Sequence, residues 1–349
     1  LADVIGSLPL ALTEKGHEVK VVMPLYRKIA EKYMDELYFD CEYTVSINYQ
    51  EVPVRVYSKM VDDVCFFFIQ HQGYFERDTL YGYQDDGERF AYFQKAVIEM
   101  LNQLNYWPNI IHCHDWQTGL IPVYLHDSFQ SDPFFWGIKT IFTIHNLKFQ
   151  GTWSVDTIKG FSGLSDYYFT SDKLEAYGNG NMLKGGLVYA DRITTVSRSY
   201  ASEIRMPFYG EGLDGLLRAR SKQLSGIVNG IDYNVYNPKT DKDIAVNYSV
   251  EDVIKAKAAN KTALQKELGL EENPDAFMLG IVSRLTDQKG LDLVECVLDQ
   301  ICAEDVQLVV LGTGEGKYQD MFTYYSRKYP ERVSANIFYS EALSHRIYA

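Results

Sequence analysis

The chain has 349 residues, 46% of them hydrophobic and 23% charged, with 47 acidic against 34 basic side chains and a formal net charge of −13. Such a length suits two domains of ordinary size, and such a composition a soluble globular protein. The acidic balance argues against a nucleic-acid surface and against docking on anionic lipid, and no apolar run is long enough to span a bilayer.

Five scattered cysteines without a C-x-x-C pair fit reduced thiols rather than a disulfide framework. The 27 tyrosines and 4 tryptophans suit either core packing or the stacking platforms of a carbohydrate site. In chain order, residues 1–15 place Val4, Ile5, Leu8 and Leu12 on one helical face, with Gly16 as the stop. A strand follows in H-E-V-K-V-V-M-P-L-Y. Opening on a helix is unusual for a parallel α/β chain, which opens on a strand. Residues 41–72 alternate and contain V-C-F-F-F-I, reading as strands. An aromatic, glycine-punctuated stretch around Tyr81 leads into a helix from about Glu88 to Leu104.

The next two segments each read strand, polar turn, then helix or loop. The first contains I-I-H-C-H-D-W-Q and the second T-I-F-T-I-H-N. Ligands of open α/β sheets bind at the carboxyl ends of the strands, where His114, Asp115 and Trp116, and then His145 and Asn146, fall. His112 and His114 flank a cysteine in a metal-like spacing, but no third ligand lies near in sequence. N-M-L-K-G-G-L-V-Y-A-D-R-I-T-T-V-S reads as helix then strand, with Lys184 able to cap or solvate the helix. Gly226 to Ile231 reads as a short strand running into an Asn-Gly turn at Asn229.

Polar residues 237–253 lack a strong period and read as a linker, which sets domains at 1–240 and 241–349. A helix from Val253 to Leu268 opens the second. Phe277 to Val282 suits a buried parallel strand, and Leu291, Val294, Leu298 and Ile301 share a helix face. The turn S-R-L-T-D-Q-K-G between them carries Arg284 and Lys289. Cations are unfavourable at a helix N-terminus unless an anion sits nearby, and diphosphate is the obvious one. The alternative is a solvated basic turn beside Asp287. Further on, L-V-V-L-G-T-G-E-G ends in glycines, Gly312 and Gly314, that serve either a phosphate or a tight turn of positive φ. The alternation of strands and helices in both halves predicts an α/β protein of two Rossmann-like doubly wound domains facing a central cleft.

These motifs, with K-G-G-L, A-D-R-I-T-T-V-S and N-G-I-D, run in order through nearly the whole chain. Together they resemble the family of bacterial glycogen synthases and plant starch synthases, the ADP-glucose type of retaining GT-B glycosyltransferase. The resemblance implies transfer of glucose from ADP-glucose to the non-reducing end of an α-1,4-glucan. It implies that Arg284 and Lys289 hold the diphosphate, that His145 and Asp115 position the glucose, and that the departing phosphate takes the acceptor's proton. Asp3, Tyr81, Asn146, Asn229 and Tyr339 match positions that the family sets around its substrates, with Tyr339 along the adenine ring, and Gly312 and Gly314 are candidate substrate-binding residues of the glycine turn. No metal and no resident cofactor are expected. The expected partners are ADP-glucose and glycogen or starch, in the cytoplasm if bacterial or the plastid if plant, with no nucleic acid and no membrane.

In the family, K-x-G-G precedes L-A-D-V and S-R-F-E-P-C-G-L follows the last strand, and neither is among these residues. A fold truncated at both ends, and a poor enzyme as it stands, are therefore expected. An inactive glucan-binding domain is one rival reading. A glycoside hydrolase is the other, for which the sequence offers no isolated carboxylate pair.

Overall fold

A computed structural model describes residues 2–127 and 129–349, so Leu1 of the L-A-D match lies outside the described residues. The chain divides into two compact units, Leu1–Gly230 and Ile231–Ala349, before the boundary expected at 240.

In the first unit the helix Ala2–Thr13 precedes β1 (Lys20–Pro24), β2 (Tyr38–Ile47), β3 (Gln50–Val61) and β4 (Val64–Gln70). These four strands form one sheet in the order β1-β4-β3-β2, with β1 parallel to β4 and the other pairs antiparallel. Next come β5 (Ile110–His114) and β6 (Lys139–Ile144), then three short strands, β7 (Thr152–Ser154), β8 (Glu175–Ala176) and β9 (Asn179–Asn181), paired antiparallel to one side. With β10 (Arg192–Thr195) and β11 (Leu224–Gly226) the chain returns to an all-parallel sheet, ordered β11-β10-β6-β5. Phe142, Ile144 and Ile193 are fully buried, as expected where both faces of a parallel sheet are covered. The short strand expected at Gly226–Ile231 lies earlier. It pairs with β10 only from Leu224 to Gly226, and beyond that Ile227, Val228 and Ile231 are exposed.

The helix Asp86–Gln103 is buried on nearly all sides, including Phe90, Tyr92, Phe93, Ile98 and Met100. Its one buried cation, Arg89, donates from Nε to Asp86 at 2.8 Å and from its other nitrogens to the carbonyl oxygens of Tyr74 (3.0 Å) and Leu80. Asp86 also accepts from the backbone of Gly82 at 2.7 Å. One buried guanidinium thus ties down the aromatic loop around Tyr81.

In the second unit β12 (Phe277–Val282), β13 (Val306–Leu311) and β14 (Val333–Asn336) run parallel in the order β12-β13-β14. Successive residues of β13 face opposite sides. Leu308 and Val310 pack with Leu291, Leu298, Tyr318 and Phe322 from the helices Leu291–Ala303 and Gly316–Lys328. Val309 and Leu311 pack with Leu264 and Leu343 from the helices Val253–Leu268 and Glu341–Tyr348. Helices on both faces of a parallel sheet make the doubly wound arrangement expected. The polar stretch 237–253, read as a linker, is bound to this unit. Asp241 meets Nδ1 of His345 at 2.6 Å, and the Asn260 side chain pairs with both the N–H and C=O of Val246 at 2.8 Å. Among the described residues no helix is long and apolar enough to cross a membrane.

Removing one partner of a buried ion pair strands the other. Arg89→Met is therefore expected to cost about 3–5 kcal/mol of stability, read from the shift of a urea unfolding curve. A loss under about 1 kcal/mol would mean that the aromatic loop is held by other contacts.

Candidate active site

The carboxyl ends of β5 and β6 lie side by side, with His114 opposite Thr143. Asp115, the first residue past β5, has φ 58° and ψ −174°, a region that glycine adopts readily and other residues seldom do. Such backbone costs of the order of 1–3 kcal/mol and persists only where surrounding bonds enforce it. Here Asp115 donates its N–H to the Thr143 carbonyl at 3.0 Å and accepts at its own carbonyl from Thr118 at 3.1 Å. Its carboxylate Oδ1 accepts the backbone N–H of His145 at 2.8 Å, and Asn146 supplies a further backbone bond. The strained residue thereby aims its carboxylate across the sheet at the turn carrying His145 and Asn146.

Nδ1 of His114 lies 3.0 Å from Nε2 of His145, and the His112 and His114 rings are 4.2 Å apart. Behind them Nε2 of His112 meets Thr143 Oγ1 at 2.6 Å, and that hydroxyl meets Thr194 Oγ1 at 2.6 Å. Burial pushes His112 and His145 down to about 4 and His114 further, so all three rings are neutral at pH 7. The same burial raises the Asp115 carboxyl to about 6, against the opposing pull of its backbone hydrogen bonds. The polar row formed by His112, His114, Thr143 and Thr194 was not anticipated. The alternation in H-C-H marks one face of β5, but which threonines stand opposite depends on strand register.

Next to Asp115, Trp116 is one wall of a hollow of about 400 Å³ that Tyr83, Phe149 and Trp153 also line, with Asp86, Lys148 and Gln150 as polar members. The Trp116 and Trp153 rings stand 5.5 Å apart. Rings with polar groups among them match the apolar faces and hydroxyl edges of sugars. Tyr81 sits exposed on the neighbouring pinned loop, its carbonyl accepting from Thr79 at 3.1 Å. Asp3 is exposed in the first turn of its helix, and Asn229 is exposed past β11. Among the described residues neither is hydrogen-bonded to the Asp115–His145 group. Lys184 does not solvate its helix. It is buried and donates to the carbonyl oxygens of Ser171 (2.6 Å) and Glu175, fastening that loop.

In the second unit a short 3-10 turn, Asp287–Lys289, precedes the helix Leu291–Ala303. Asp287 accepts from Lys317 at 2.6 Å and from the Tyr318 hydroxyl. Arg284 and Lys289 are exposed and make no side-chain hydrogen bond or ion pair with the described residues. The acid that would have neutralised a merely solvated basic turn is thus engaged by Lys317. The glycines after β13 have a packing account. A Cβ on Gly312 would fall 1.9 Å from the Ser283 carbonyl oxygen, and one on Gly314 2.2 Å from that of Leu285. The bonds Leu285 N to Thr313 O (2.9 Å) and Glu315 N to Leu285 O (2.8 Å) join the glycine turn to the cation turn. Tyr339 follows β14 and is 85% exposed, leaving both ring faces open for stacking.

The raised Asp115 pKa has a signed consequence. A folded pKa above the unfolded one contributes stability in full below about pH 3.8, and that contribution is lost as pH rises through about 6. At about 1.36 kcal/mol per unit the shift is worth roughly 3 kcal/mol. Asp115→Asn keeps an acceptor for His145 and cannot ionise. Its Tm relative to the parent is expected to rise between pH 4 and pH 7, and a flat difference would contradict the burial account.

A profile of the starch synthase catalytic domain matches residues 1–219. A glycogen synthase of Lachnoclostridium phytofermentans is 52% identical over all of this chain and 73% of its own length. One of Lachnospira eligens is 55% identical over the same shares. The catalytic domain of starch synthase IV from Arabidopsis thaliana, solved bound to ADP and acarbose, superposes with a TM-score of 0.92 at 32% identity, covering 99% of this chain and 72% of that one. The chain belongs to the glycogen and starch synthase family of GT-B glycosyltransferases.

Proposed function

We propose that the chain transfers glucose from ADP-glucose to the non-reducing end of an α-1,4-glucan, glycogen or starch, with retention of configuration. The observation that carries this reading is the pair of exposed cations without side-chain partners among the described residues, Arg284 and Lys289, at the end of β12, beside an acid already taken by Lys317. As the C1–O bond of the sugar nucleotide breaks, negative charge grows on the diphosphate, and fixed cations there lower the barrier. Gly312, Gly314, Asn229 and Tyr339 are assigned to the donor side, Tyr339 against the adenine. Asp115, His145 and Asn146 are assigned to the transferred glucose, which they position rather than attack. Asp3 and Tyr81 are assigned to the surrounding substrate shell, and the hollow beside Trp116 and Trp153 to the glucan acceptor. The starch synthase IV relative is bound to ADP and acarbose. From it we take the same two kinds of partner, a nucleoside diphosphate and an oligosaccharide. ADP-glucose is consumed as a substrate, and no resident cofactor is assigned.

The deciding assay follows labelled glucose into glycogen from ADP-glucose and from UDP-glucose, with free glucose measured alongside. Extension with the higher kcat/KM for ADP-glucose is expected. Free glucose without extension would replace the transferase by a hydrolase, and a preference for UDP-glucose would overturn the donor assignment.

In the full-length protein, Arg284→Ala or Lys289→Ala is expected to remove roughly 1.5–3 kcal/mol of charge-assisted bonding, about 10- to 100-fold in kcat/KM. Both side chains are exposed, so the fold should survive. Unchanged kcat/KM in either variant would remove that residue from the diphosphate site.

A further inference from the structure

His145 is held at two points. Its backbone N–H is fixed by Asp115 at 2.8 Å, and its ring nitrogen Nε2 lies 3.0 Å from Nδ1 of His114. The second contact engages one of the two ring nitrogens and leaves Nδ1 of His145 without a partner among the described residues. His114 is itself anchored. Its backbone N–H donates to Thr118 Oγ1 at 2.6 Å, and its ring packs against His112, whose own Nε2 is tied to Thr143. Register supports this arrangement, since His114, Thr143 and Thr194 are direct cross-strand neighbours on β5, β6 and β10.

We infer that His114 is a positioning residue for glucosyl transfer: its Nδ1 occupies Nε2 of His145, fixing the ring's angle and leaving Nδ1 of His145 as the nitrogen that meets the glucose. The inference rests on the glucosyltransferase reading above, and it adds a residue and an atom to it. The physical reason is that an imidazole on a strand-end turn can rotate about χ2 and offer either nitrogen. A neutral neighbour sharing one proton removes that freedom. Because both rings are uncharged at pH 7, the contact adds no like-charge repulsion. A fixed ring presents one polar atom to the sugar, and a loose one spreads its contacts over several poses, which costs rate more than binding.

Two substitutions separate this role from packing. His114→Phe keeps a ring against His112 and loses the hydrogen bond. His114→Asn keeps an amide group near the place of Nδ1. In the full-length protein, His114→Phe is expected to lower kcat about 10- to 100-fold, with KM for ADP-glucose and affinity for ADP within about threefold of the parent. His114→Asn is expected to recover most of that loss at equal folded fraction. A kcat for His114→Phe within about twofold of the parent, or His114→Asn as slow as His114→Phe, would overturn the inference. The 15N spectrum of labelled histidines reads the contact without any turnover. His114→Phe is expected to shift the His145 ring nitrogens, and an unchanged His145 signal would likewise overturn it. If the parent transferred no glucose yet its His145 signal moved in the variant, the function reading would fail while the His114–His145 contact stood.

Discussion

The hydrogen bond from the His145 backbone to the Asp115 carboxylate, 2.8 Å long, is the constraint on which the polar group at the ends of β5 and β6 depends. It joins the ends of two adjacent parallel strands, and parallel strands bring their carboxyl ends to the same edge of the sheet. Making it requires Asp115 to adopt backbone angles that favour glycine, and to bury a carboxyl whose pKa rises to about 6. Both features oppose folding. They are maintained because β6 is paired on both sides, with β5 and with β10, and because Phe142, Ile144 and Ile193 are fully buried. Strain concentrated at a strand end, supported by an ordinary core, is the usual mark of a functional site.

The second unit presents Arg284 and Lys289 by a different route. Its positive-φ residues are all glycines, which tolerate that region, and the cations are exposed rather than buried. What leaves them unengaged is competition among charges. Lys317 lies 2.6 Å from Asp287 and 3.7 Å from Glu315, so these two acids are engaged while Arg284 and Lys289 make no side-chain bond among the described residues. The glycine turn after β13 contributes by letting two backbones approach. With side chains at 312 and 314, the turns that follow β12 and β13 could not join.

Both units also use buried polar groups to fix segments that have little apolar surface of their own. Arg89 gathers the loop before its helix through carbonyl oxygens, Lys184 does the same for the loop at Ser171 to Glu175, and His345 draws in the polar stretch at Asp241. Each such group loses hydration on burial and recovers it only if its bonds are made. These loops are therefore ordered by a few specific contacts, so a single substitution can release a whole segment.

Much of the fold was legible in the text. Residues Val253 to Leu268 and Phe277 to Val282 form a helix and a strand at the expected positions, but the strand, read as buried, lies at the edge of its sheet with Phe277 exposed. The ends of β5 and β6 were also legible, and with them Asp115, His145 and Asn146. Arg284 and Lys289 stood out because cations before a helix are electrostatically odd. Other features depended on tertiary structure. The polar residues 237–253 look like a linker by composition, yet Asp241 meets His345 across 104 positions. Gly312 and Gly314 look like a phosphate loop, but their need for glycine arises from the carbonyl oxygens of Ser283 and Leu285, some thirty residues earlier. The pairing of His114 with His145 depends on register between strands, which local pattern does not encode. The sequence by itself determined the elements, their order and the residue types at strand ends, because these follow from short-range spacing and burial. Only the tertiary structure decided which of those residues meet, because long-range contacts depend on how the chain closes upon itself.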